Sequence, residues 1–250
     1  MTRNPTTERL VSRDISYASG DTTMIGTLIT QPEATPGPAV LLIHDAFGLS
    51  EWMLQNAADL AAQGYIVFAA DVWGDRTAPA DDSEIGPLIA SMAKNRTEWM
   101  NRIGAAHDIL RAQPEADHNP VIAMGYCFGG ASALEYLRIG GELRGVVSIH
   151  GGLDLLHDDW SAQVHESNVL LCSGANDPMA TSAMRDALCT HLDDVGIDWE
   201  LDLYGGTTHA FTNPASTHSA RKDLADYNPR RAAHARAATT RFLSELTIGS

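Results

Sequence analysis

Three residues, Cys127, Asp177 and His209, have the types and the chain order for nucleophilic acyl transfer. A cysteine attacks as its thiolate, a histidine takes the thiol proton, and a carboxylate holds the imidazole in the productive tautomer. Cys127 lies within Gly125-Tyr126-Cys127-Phe128-Gly129-Gly130. A short apolar strand at 121–124 precedes this segment and a small-residue run that starts a helix follows it, which is the pattern of a nucleophile elbow. The glycines have a steric job, because the turn tip is strained and side chains two positions away on either side would collide with strand or helix. A helix N-terminus behind the sulfur favours the anion through its dipole and free N–H groups. Cys172, inside an apolar strand, and Cys189, inside a helix, read as structural cysteines.

The base is harder to pick, since the chain has 10 histidines. Of these, His209 follows a late strand through the glycine-rich run Gly205-Gly206-Thr207-Thr208, and His44 and His150 are the others near strand ends. Asp177 closes the strand before it, where the bland alternative is a cap for a helix beginning at Pro178. Acyl transfer also needs donors for the developing oxyanion. The backbone N–H of Phe128 supplies one by position, and the N–H of Ala46, on the loop after the first core strand, the other.

Elements that deliver these residues to one place are legible in the hydrophobic pattern. Segments 14–17 and 24–29 alternate around Ser19-Gly20-Asp21 and read as an antiparallel hairpin. Continuous apolar runs at 39–43, 65–70, 121–124 and 169–172 read as buried strands, 144–149 as a further strand, and 199–204 as an alternating one. Between them fall helices at 50–63, at 83–112 with Pro87 as its expected interruption, after the elbow, and from Pro178 to about 195. A last helix starts near Asn228-Pro229. The stretch 153–167 is acidic and irregular. Strands alternating with helices predict an α/β domain with a mostly parallel sheet covered on both faces, and function at the carboxyl ends of its strands.

Bulk properties narrow the partners. The 250 residues read as a single domain, 1–250, and the formal net charge of −15 repels nucleic acid and anionic lipid surfaces. Three cysteines give no disulfide framework, and neither a leader nor a membrane span is evident, so a cytoplasmic protein is expected. No metal-ligand cluster or GxxxxGK loop is present, so neither metal nor cofactor is expected. A homodimer stays open beside a monomer. Gly249-Ser250 reads equally as native or as an added tail.

These residues resemble the dienelactone hydrolase family. The similarity runs from about 25 to 246 and includes His44-Asp45-Ala46-Phe47-Gly48-Leu49, Asp71-Val72-Trp73-Gly74, the elbow, Asp177 and His209-Ala210-Phe211. It implies an α/β-hydrolase fold with a central sheet of about eight strands, a Cys–His–Asp triad, and a small-molecule ester or lactone as substrate. The family commonly carries a glutamate that orients the resting thiol; Asp45 stands there, one methylene shorter. Members acting on dienelactone clasp its carboxylate with arginines, one of them four residues after the histidine. Asn213 occupies that position, leaving Arg76 and Arg96 as substitutes. Phe47, Trp73 and Phe211 suggest an apolar substrate pocket.

Esters and lactones are thus the expected substrates, with activated phosphate esters as a promiscuous extension. A non-catalytic α/β-hydrolase-like binding or regulatory protein is the alternative from another class. A thiol redox role fits less well, because no resolving C-x-x-C partner accompanies Cys127.

Overall fold

A computed structural model describes residues 10–116, 120–162 and 166–247. The terminal Gly249-Ser250 lies outside them. Strands β1 (Val11–Ser19) and β2 (Thr22–Thr30) form the expected hairpin around a two-residue turn, where Gly20 takes φ +56°. The remaining strands are β3 (Ala39–Ile43), β4 (Ile66–Ala70), β5 (Val121–Tyr126), β6 (Leu143–Ile149), β7 (Asn168–Gly174) and β8 (Asp198–Tyr204). They form one eight-stranded sheet in the order β1-β2-β4-β3-β5-β6-β7-β8, parallel from β4 through β8. This is the mostly parallel sheet of an α/β-hydrolase fold.

Among the described residues, six α-helices cover it: α1 (Glu51–Ala61), α2 (Asp82–Lys94), α3 (Arg96–Arg111), α4 (Phe128–Arg138), α5 (Ser182–Asp194) and α6 (Pro229–Thr247). Alternate residues of each buried strand face opposite layers. Leu41 and Ile43 of β3 pack with α2 through α5, whereas Val40 and Leu42 pack with α1 and α6. The sheet is therefore buried on both sides, which is why its central strands read as unbroken apolar runs.

Two helix boundaries differ from expectation. The break in the long helical stretch falls at Asn95 and not at Pro87, which lies within α2. Asn95 leaves helical geometry (φ −114°, ψ 70°) and its side chain accepts the Glu98 N–H, ending one helix and capping the next. Pro178 does not open α5. Residues 177–180 form a turn, with Ala180 N–H donating to Asp177 O, and Thr181 caps the helix through the Met184 N–H. Among the described residues, no helix is long and apolar enough to cross a membrane.

Candidate active site

β5 ends at Tyr126 and α4 begins at Phe128, so Cys127 alone makes the turn, at φ 52° and ψ −115°. Backbone this far from the allowed regions costs about 1–3 kcal/mol and persists only when its surroundings hold it. Three hydrogen bonds do so. Cys127 N–H donates to Ile149 O at 3.1 Å, and Cys127 O accepts from Ala131 N–H at 3.2 Å and Gly152 N–H at 3.3 Å. The flanking glycines are a packing necessity. A methyl on Gly125 would overlap the Gly129 backbone, and one on Gly129 would overlap the Ile43 carbonyl of β3. The helix thus sits directly on the strands, and its first N–H, from Phe128, precedes the first intrahelical bond.

Asp177 and His209, 32 residues apart, meet at the same edge of the sheet. His209 Nδ1 donates to Asp177 Oδ2 at 2.8 Å, and Asp177 Oδ1 accepts the Met179 N–H at 2.9 Å. Both residues are buried. The segment bearing Asp177 is clamped by the buried Arg185 guanidinium, which donates to the carbonyls of Gly174 and Ala180. His209 Nε2 has no aligned hydrogen-bond partner among the described residues. Burial disfavours the His209 cation, but the charge of Cys127 and the bond to Asp177 outweigh it and hold the imidazole up at about 10.

The loop after β3 is fastened from two sides. Val72 N–H donates to His44 Nε2 at 3.0 Å, so His44 is the Nδ1–H tautomer and donates to Asp45 O at 2.6 Å. Trp73 Nε1–H donates to Ala46 O at 3.1 Å while its ring stacks on Phe128 with centroids 4.4 Å apart. Asp71 supports this second loop by accepting from Ile25, Gly74 and Arg76 N–H. Trp73 thus ties together the two residues whose N–H groups are the oxyanion candidates, Ala46 and Phe128.

Asp45 is buried, with Oδ1 accepting the Phe47 N–H at 3.0 Å and Oδ2 accepting from Asn213 Nδ2 at 3.4 Å. Burial pushes its carboxyl up to about 6, against the opposing pull of these two bonds and of His209. Asp45 and Asn213, the two positions that sequence analysis singled out as differing from the expected pattern, are in contact with each other.

Sequence reasoning named the residue at 213 only for the arginine it lacks, and the paired departures were the signal that could have joined the two positions. Reasoning from sequence placed His150 near a strand end without giving it a role; it follows β6 with φ 39°. His150 Nε2 pairs with Thr212 Oγ1 at 2.8 Å, and its ring meets that of His209 edge to face, centroids 5.2 Å apart. Burial and the nearby His209 push His150 well below its ordinary range, so it packs as a neutral ring.

The expected pocket residues separate. Phe47 is 40% exposed, whereas Trp73 is 5% and Phe211 0% exposed. Phe211 packs edge to face against Tyr204 and His150 in the layer beneath α6, so it is a core residue and not a pocket wall. Neither substitute arginine is free for a substrate. Arg76 is bound to Asp14, Thr27 and the Ile25 carbonyl, and Arg96 to Glu135 and the Leu155 carbonyl. Cys172 is buried and its thiol pushed up to about 12 by that burial, consistent with an unreactive structural residue. Among the described residues, no three His, Cys, Asp or Glu side chains gather to hold a metal.

Comparison with known proteins gives the setting for this geometry. Residues 25–247 match the model of the dienelactone hydrolase family. The crystal structure of a dienelactone hydrolase-like promiscuous phosphotriesterase from metagenomic libraries superposes with a TM-score of 0.88 at 33% identity, over 95% of this chain and 98% of that one. Protein usf of Aquifex pyrophilus is 26% identical over 221 residues, 85% of this chain and 91% of that protein. The carboxymethylenebutenolidase of Pseudomonas putida is 26% identical over 136 residues, covering 50% of this chain and 55% of that one.

Proposed function

Because this chain belongs to the dienelactone hydrolase family, we propose that it hydrolyses uncharged esters and lactones through a covalent acyl-cysteine intermediate. Cys127 is the nucleophile, His209 the base and Asp177 the carboxylate that orients it. The observation that carries this assignment is the 2.8 Å bond from His209 Nδ1–H to Asp177, which fixes the tautomer and leaves Nε2 as the basic nitrogen, with no partner among the described residues.

The chemistry proceeds in two halves. His209 Nε2 takes the Cys127 proton, and the thiolate, at the positive end of α4, attacks the carbonyl carbon. The oxygen becomes an anion held by the Phe128 and Ala46 N–H groups, a pair of donors of which each contributes about 10²–10³ in rate. As the C–O bond breaks, His209 returns its proton to the departing alcohol, leaving a thioester on Cys127. A water that gives its proton to His209 attacks the thioester, and the acid leaves as the thiol is restored. Asp45, held by Asn213 beside this centre, orients the resting thiol. An activated phosphate ester meets the same nucleophile and anion site; the metagenomic neighbour is described as a promiscuous phosphotriesterase, which favours this extension.

Substrate charge follows from what surrounds the nucleophile. Asn213 stands in place of an arginine and is occupied by Asp45, and Arg76 and Arg96 are engaged elsewhere. A bidentate arginine contact to a carboxylate has no equivalent in an amide. Uncharged substrates are therefore preferred over a carboxylate-bearing dienelactone. A panel of chromogenic esters, lactones and phosphotriesters, with intact-mass detection of the acyl adduct, tests this in wild type and Cys127→Ala. Turnover with a mass adduct in wild type, and loss of both in the variant, is expected. Unchanged turnover in Cys127→Ala overturns the nucleophile, and inertness of wild type to the whole panel favours a binding protein.

A further inference from the structure

The loop after β6 is joined to both halves of the site. Gly152 N–H donates to the carbonyl of Cys127 at 3.3 Å. Two residues on, Asp154 N–H donates to Met179 O at 3.2 Å, and Met179 N–H in turn donates to Asp177 Oδ1 at 2.9 Å. Asp154 is thus pinned between the nucleophile's turn and the orienting carboxylate's turn. Its own carboxylate folds back over Gly152, where an added Cβ would lie 3.1 Å from Oδ1. The residue is exposed, and no cation among the described residues pairs with it. Met179 beside it is 36% exposed and apolar. Partial burial and the charge of Asp177 raise the Asp154 carboxyl while His209 lowers it, so all three groups share one field.

The sheet order fixes which end of a substrate this carboxylate meets. β6 and β7 lie on one side of β5, and β3, with the Ala46 loop and Phe47, on the other. His209 protonates the leaving alcohol, so the alcohol lies towards His209, on the side of Asp154 and Met179. We propose that Asp154 is a specificity-determining residue that selects esters by the charge of their leaving group, favouring ammonium-bearing alcohols and disfavouring anionic ones. The inference rests on the acyl-cysteine assignment above and adds to it the direction in which substrate lies.

The test uses three esters with one acyl group and leaving alcohols that are cationic, neutral or anionic. In wild type at low salt, kcat/KM falls in that order. In Asp154→Asn the cationic-to-anionic ratio of kcat/KM falls by about three- to tenfold, the range for a partly screened pair of unit charges. About 1 M salt erases the wild-type preference, because the Debye length there is about 3 Å. Asp198→Asn, which removes the same charge at the opposite end of the strands, leaves the ratio in place. A ratio unmoved by Asp154→Asn, or moved equally by Asp198→Asn, overturns the inference while leaving the nucleophile standing. Turnover surviving Cys127→Ala defeats the nucleophile instead.

Discussion

The nucleophile and the groups that serve it are held by different means. Cys127 is fixed by backbone: one strained residue between β5 and α4, three main-chain hydrogen bonds, and glycines packed against carbonyls. His209, Asp45 and Ala46 are fixed by side chains from elsewhere in the chain, namely Asp177, Asn213 and Trp73. Steric closure tolerates almost no substitution and leaves glycines as its mark. Side-chain bracing depends on pairs of residues far apart in the chain, as in the Asp45–Asn213 contact. The elbow sets what reaction is run, and the braces set how well and on what.

The largest effect on that contrast comes from its steric half. Gly129→Val drives a branched side chain into the Ile43 carbonyl, and neither α4 nor β3 can retreat without unpacking the layer that holds Trp99 and Phe128. Overpacking of a core costs about 1–3 kcal/mol, and backbone contact adds to this. We expect loss of soluble protein or a fall in Tm of more than about 10 °C by calorimetry. A variant folded with wild-type Tm would show that the elbow is less constrained than its packing implies.

Asp177→Asn breaks a brace and should spare the fold. The amide can still receive the Met179 N–H on one side, but it offers no carboxylate to His209 Nδ1–H. Loss of the orienting carboxylate in such a triad lowers kcat by about 10⁴. A drop of about 10³–10⁴ in kcat with Tm changed by only a few degrees is the expected outcome. A loss of less than about tenfold would mean that His209 is oriented by its other neighbours, His150 first among them.

The same contrast explains what could be read from the sequence. Strands β3, β4, β5 and β7 were legible because burial on both faces writes an uninterrupted apolar run. The elbow was legible because glycine alone fits at 125 and 129. Asp177 and His209 could be named because the strand ends bring them to one edge in a known order. The helix start at Pro178 misled, because proline suits a turn as well as a first helical turn, and the Asp177 carbonyl settles the matter by accepting from Ala180. Phe211 was placed in a pocket because side-chain direction on a loop has no period. The clasp of Trp73 on Ala46, the approach of His150 to His209 and the clamp of Arg185 on Gly174 and Ala180 join residues 27, 59, 11 and 5 positions apart. Only the fold reveals such pairings.

The smallest and most specific test concerns the Asp45–Asn213 brace. The Asp45 carboxyl stands at about 6 in the fold against an ordinary 3.8. Between those values the folded chain holds a proton that the unfolded chain has released. The contribution is therefore fully present below about pH 4 and is lost as pH rises through about 6, with an upper bound near 3 kcal/mol at 1.36 kcal/mol per unit. In the difference between wild type and Asp45→Asn, chemical denaturation from pH 4 to 7 should show that decline. Asn213 donates to the charged form of Asp45, so Asn213→Ala removes a stabiliser of the anion and moves the inflection to higher pH. A shift to lower pH, or none, would mean that the 3.4 Å contact does not hold the carboxylate. Asp45 would then be set by its bond to Phe47 alone, a local turn with no link to the loop that carries the base.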